Sequence, residues 1–236
     1  MLAMNRDEQK SRPSGVAPRC RKAGLRDALH PGEPAGGTWI GVNDAGLTLA
    51  LINWYSKPQR DRALCVSRGI VIPHLLAADD ISGAGLFLSD LPLDEINPFR
   101  LIAVSLAGRA VREWRWDGSE MECRRHGWQR RHWYSSGLDE AAANRKRAGV
   151  VRAAGGGTAQ TPAWLRKLHC SHQTERGAFS ICMHREDAET VSYTEIVATR
   201  SLVRMQYAGG SPCRKKPGAP RLLPLASGAA PSRQPR

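Results

Sequence analysis

Thr38–Asn53 reads TWIGVNDAGLTLALIN, two apolar, β-prone runs on either side of Asn43-Asp44-Ala45-Gly46. Asn and Asp bond to their own backbone in tight turns, and Gly accepts a positive φ at no steric cost, so the stretch specifies a β-hairpin. Outward from it the same grammar recurs. RLIAVSLAGRAVREWRWDG (100–118) turns near Gly108, and GAFSICMHREDAETVSYTEIVAT (177–199) turns at Glu186-Asp187-Ala188, while GLFLSDLP (85–92) reads as a short strand entering a turn. Helical signals fall between the hairpins. RALCVSRGIVIPHLLAA (62–78) has helical spacing that Pro73 should end or kink. SSGLDEAAANRKRAGVVRAA (135–154) is Ala-rich and stops at Gly155-Gly156-Gly157, and TPAWLRKLH (161–169) holds Pro162 in a first turn. Antiparallel hairpins with helices interspersed predict an α+β fold.

Residues 8–36 are polar, basic and punctuated by Pro and Gly, and read as loop. From Gly209 the composition is Pro, Gly, Ala, Ser and Arg, which buries little and predicts a disordered tail. The expected organisation is therefore one domain over 1–208 and a basic tail over 209–236.

The chain has 236 residues and a formal net charge of +13. Residues 209–236 carry six Lys/Arg and no acids, whereas residues 31–208 hold 22 basic and 19 acidic residues. Most of the excess sits on the ends, so the composition favours a solvated tail over specific nucleic-acid binding. No apolar run is long enough to span a membrane, and no signal-peptide pattern opens the chain. Six scattered cysteines without a Cys-x-x-Cys pair point to reduced thiols and a cytoplasmic location.

Few residue clusters suggest chemistry. Asn5-Arg6-Asp7-Glu8 is compact, and an Arg, an Asp and an amide together can orient a carbonyl or stabilise an oxyanion. A solvated charged terminus explains the cluster equally well from local sequence. Asn53 closes an apolar strand, which places an amide at a sheet rim. His169, Cys170, His172, Cys182 and His184 are of the types zinc prefers, but their spacing is poor for a zinc finger. Core cysteines and surface histidines account for them, so no metal and no cofactor is expected. GGTWIGV and AAGGGTAQ lack the spacing and Lys of a phosphate loop.

In order, NRDE at 5–8, GGTWIGVNDAGLTLALIN, WRWDG, WYSSGLDEAAANRKR and LHCSHQTERGAFSICMHREDAETVSYTEI resemble the NRDE family of transport and Golgi organisation proteins, over residues 2 to about 213. That family is similar to the N-terminal nucleophile hydrolases. The resemblance implies an αββα sandwich of two antiparallel sheets, and amide or acyl-bond chemistry on a small molecule by a Cys directly after the initiator Met. It also implies that Arg6 and Asp7 buttress the nucleophile and that Asn53 supplies the oxyanion-hole amide. Asn5, Asn43 and Ser135 are then expected at the substrate, with Ser135 standing where relatives often carry Asn. Leu2 follows Met1 here, so the resemblance implies a missing first strand and nucleophile, on the order of 10–20 residues upstream. The sequence thus leaves two functions open. One is a hydrolase or acyltransferase whose nucleophilic Cys is absent from this chain. The other is a non-catalytic protein of the same fold that binds a lipid, acyl compound or haem. The expected partner is a small-molecule substrate or ligand; oligomeric state has no sequence signal.

Overall fold

The computed structural model describes residues 1–155, 161–173 and 175–226. The described strands are β1 (Leu2–Gln9), β2 (Val16–Ala23), β3 (Arg26–Gly32), β4 (Ile40–Asn43), β5 (Leu47–Asn53), β6 (Phe99–Ser105), β7 (Ala110–Trp116), β8 (Met121–His126), β9 (Ala188–Ala198), β10 (Leu202–Ala208) and β11 (Arg221–Pro224). The helices are α1 (Val71–Leu75), α2 (Ile81–Ser89), α3 (Glu140–Ala154) and α4 (Pro162–His169). Strands β2 to β8 form a seven-stranded antiparallel sheet in chain order, and a second antiparallel sheet runs β1-β9-β10-β11.

Strand β5 shows how the layers are built. Leu47, Leu49 and Leu51 point to one face and pack with Val71, Ile72 and Leu75 of α1 and Ile81, Ala84 and Leu88 of α2. Ala50 points the other way, into a cluster with Ile40, Val42, Ile196, Val203 and Met205 between the sheets. Both faces are covered, which is why β5 reads as an almost unbroken apolar run. Each fully buried Leu contributes about 1.5–3 kcal/mol. Gly41 is needed for the helix–sheet contact, because a Cβ there would meet Leu76 Cδ1 at 2.8 Å. On the outer side of the second sheet, Val150 and Val151 of α3 and Leu165 and Leu168 of α4 pack with Ala3 of β1. The order of layers is helix, sheet, sheet, helix.

The hairpins at 38–53 and 100–118 form as expected, with Gly46 at φ +78 in the first turn. Other segments differ. Residues 16–32 are a hairpin, missed because β2 is an edge strand with exposed side chains on both faces and Pro18 within it. Residues 85–92 belong mostly to α2, started by Asp80, whose side chain accepts from Gly83 N; a short apolar run does not distinguish strand from helix. Residues 62–78 break into two 3-10 turns and the single turn of α1, with Pro73 tolerated near its start. The first arm of the expected 177–199 hairpin is irregular, and β9 instead pairs with β1 and β10.

The tail expectation is corrected as well. Residues 209–226 are placed, β11 pairs with β10, and Leu223 is 3% exposed in the inter-sheet core. RLLP carries enough apolar surface to close the sheet despite its Pro- and Arg-rich setting. Residues 227–236 lie outside the described residues.

Candidate functional site

A cleft of about 1600 Å³ runs along β1, and Met1–Gln9 all line it. Among the described residues β1 pairs only with β9. The lining also includes Ala50–Asn53 of β5, Ile102 and Val104 of β6, the segment Trp128–Gly137, and residues of α3 and α4.

Side chains of a strand alternate between faces, and this alternation distributes the NRDE residues. Leu2 and Met4 pack in the inter-sheet cluster, and Ala3 packs with α3 and α4. Arg6 follows Leu2 and Met4. Its guanidinium lies 4.5 Å from the Trp39 ring centroid and is ion-paired with Glu33 and with Glu8 (3.2 Å). Asn5 and Asp7 follow Ala3. Asn5 Nδ2 donates to His169 O (3.0 Å) and Ile181 O (2.9 Å), fixing β1 to the segment after α4. Asp7 Oδ1 accepts from Thr190 Oγ1 at 2.6 Å, and a shift in the β1–β9 register falls between Arg6 and Asp7.

Consecutive residues of the strand face opposite sides, so Arg6 and Asp7 do not pair with each other. The cation that pairs with Asp7 is Arg147 of α3, whose Nη2 lies 3.3 Å from Asp7 Oδ2. Arg147 Nη1 donates to Ser135 O at 3.0 Å, and Ser135 Oγ donates to Asn53 O at 2.6 Å. Asp7, Arg147, Ser135 and Asn53 thus form one connected array, with Asn53 Nδ2 also donating to Tyr55 Oη at 2.7 Å. Sequence reasoning missed Arg147. Its signal was present: Ala143, Arg147, Val150 and Val151 share the buried face of α3, and an arginine there needs a partner.

Asn43 does not belong to the array, contrary to expectation. It is fully buried, donates to Leu76 O and Ala78 O, and accepts from Ala45 N and Leu47 N, so it ties its hairpin to the chain after α1.

Two histidines in the cleft wall are held neutral. Burial pushes His169 down to about 3, with His132 adding to the effect. Burial and then Arg130 lower His132. His169 keeps some solvent contact yet is surrounded by protein, and its ring lies 5.2 Å from that of Tyr193.

Behind this wall the structure gathers His172, Cys182, His184 and Cys213, whose ligand atoms all lie within 4.8 Å of one another. This differs from the expectation of core cysteines and surface histidines. Cys170 is outside the set, its thiol donating to Pro212 O at 3.2 Å. Cys213 joins from the supposed tail, which is why its role was not legible in sequence.

Four layers, with a cleft along the edge strand that carries Asp7, define an N-terminal nucleophile hydrolase fold. Among solved structures, the chain is similar to penicillin V acylase from Agrobacterium tumefaciens, at 15% identity and a TM-score of 0.50, covering 86% of this chain and 78% of that one. It is also similar to a single-residue variant of conjugated bile acid hydrolase from Clostridium perfringens, at 10% identity and a TM-score of 0.52, covering 98% of this chain and 94% of that one. At such identities the likeness is one of fold. No curated protein matches the chain. The family model described as Transport and Golgi organisation 2 matches residues 1–132, and the chain belongs to that family. Among the described residues no helix is long and apolar enough to cross a membrane.

Proposed function

We propose that the cleft receives a small amphipathic molecule bearing an amide- or ester-linked acyl group. That linkage is held at Asp7, Arg147, Ser135 and Asn53. The observation that carries this reading is the convergence of those four residues, from four separate parts of the chain, at one cleft. The Asn53 amide has a second N–H beyond the one given to Tyr55, suited to a carbonyl oxygen whose negative charge grows during acyl transfer. Leu2, Val104, Val111, Trp133 and Trp164 offer apolar lining for an acyl or ring body, while Arg109, Arg130 and Arg131 favour an anionic end. The fold neighbours are named for penicillin V and conjugated bile acids, both small molecules, which supports the same substrate class.

Acyl transfer requires a nucleophile at the carbonyl. The array of Asp7, Arg147, Ser135 and Asn53 would position that carbonyl, and the reading rests on this positioning. Titration calorimetry with penicillin V, a glycine-conjugated bile acid and a long-chain N-acyl glycine tests it, together with mass analysis of each ligand afterwards. At least one should bind, kept intact or cleaved at its acyl linkage, with Asn53→Ala weakening binding about tenfold, or roughly 1.4 kcal/mol. Failure of all three to bind, or unchanged affinity in the variant, would overturn the proposal.

A further inference from the structure

The four side chains behind the cleft wall come from three separate places. His172 follows α4, Cys182 and His184 lie in the irregular segment before β9, and Cys213 sits in the turn after β10. His184 Nε2 lies at their centre, 3.1 Å from His172 Nε2, 3.6 Å from Cys182 Sγ and 3.4 Å from Cys213 Sγ. Usual zinc bond lengths place the ligand atoms of a tetrahedral site roughly 3.3 Å apart for two nitrogens and roughly 3.6 Å apart for nitrogen and sulfur. The three measured separations match those edges.

We propose that His172, Cys182, His184 and Cys213 form a structural zinc site. Two sulfurs and two imidazole nitrogens are a borderline-soft set that suits Zn²⁺ and not Mg²⁺ or Ca²⁺. On binding, each thiol releases its proton to solvent and forms a Zn–S bond, and each neutral imidazole gives a lone pair. The resulting centre has no net charge. Glu189 Oε2 lies 3.4 Å from His184 Nδ1 and 3.4 Å from Arg214 Nη1, so a carboxylate stands beside the ring nitrogen that faces away from the metal. Carboxylates commonly orient zinc-bound imidazoles from that position. Four protein ligands leave no open coordination position, which makes the role structural.

The site has something to brace. Residues 170–187 contain no helix or strand among the described residues and are held by a few bonds such as Cys182 N to Ser171 O (3.0 Å) and His184 N to Gly177 O (3.1 Å). Ile181 and Met183, flanking Cys182, line the cleft, and Ile181 O receives Asn5 Nδ2. The metal would join the segment after α4 to the segment before β9 and to the turn after β10.

Elemental analysis of the full chain, purified under reductant without chelator, tests the proposal. One zinc per chain is expected, lost in Cys182→Ser and Cys213→Ser and retained in Cys170→Ser and Cys20→Ser. Cobalt(II) loaded into the wild-type chain should give tetrahedral d–d bands with thiolate charge transfer, a readout that needs no variant to fold. Cys213→His should keep the metal and weaken the charge-transfer band. Absence of zinc, zinc content equal in all variants, iron in place of zinc, or a Cys182–Cys213 disulfide in the reduced preparation would overturn it.

Discussion

Arg147 and Asp7, 140 positions apart in sequence, meet across the cleft wall, with Arg147 Nη2 3.3 Å from Asp7 Oδ2. Their side chains are 8% and 25% exposed. Removing one partner strands a largely desolvated charge, so Arg147→Met should destabilise the protein by about 2–4 kcal/mol. A double-mutant cycle with Asp7→Asn should give a coupling of about 1–3 kcal/mol in urea unfolding. Additive single-variant effects would show that the two residues act separately.

Glu113 predicts an acid limit. Burial pushes its carboxyl up, but Arg115, His126 and Arg100 outweigh that and hold it at about 2. A depressed carboxylate contributes stability above its unfolded value of 4.5 and loses it as pH falls toward 2. About 3 kcal/mol should vanish across that window. Glu113→Gln should be less stable at neutral pH and flatten the pH profile below 4.5, as read by urea midpoints.

His169 sets a second, higher window. Its folded value of about 3 lies below the ordinary 6.5, so the unfolded chain takes up a proton first as pH falls. Stability from the neutral ring is complete above 6.5 and declines progressively toward 3. The imidazole resonances of His169 should stay fixed in NMR spectra from pH 8 to about pH 5. His169→Asn should lessen the loss of stability in that upper range while leaving the Glu113 window in place.

Leu223 tests the role of the C-terminal segment. It is 3% exposed and packs in the inter-sheet cluster. Leu223→Ala should cost about 2–4 kcal/mol in thermal or urea unfolding. A neutral outcome would mean that β11 adds nothing to the sheet.

What the sequence disclosed depended on how much of each signal was local. TWIGVNDAGLTLALIN carried its turn and both strands within sixteen residues, and the structure keeps both strands and the turn. Asp139 and Thr161 cap α3 and α4 through bonds to Ala142 N and Trp164 N, so those helices were readable too. Strand β2 was opaque because an edge strand with polar side chains on both faces has no alternation to detect. The candidate site was partly legible: Asp7, Asn53 and Ser135 reach the array, while Arg6 pairs with Glu8 and Glu33 and Asn43 bonds to backbone. Arg147 sat on the apolar face of an Ala-rich helix, a signal that names no partner because Asp7 lies 140 positions away, and Cys213 was missed because its segment's composition suggested disorder.

The alternation along β1 carries a consequence for folding fidelity. Sliding the strand by one residue would turn Arg6 toward Arg147 and Asp7 toward Glu33, setting like charges together on both faces. Opposite charges at adjacent positions thereby proofread the pairing with β9, since a misaligned strand meets repulsion on either side.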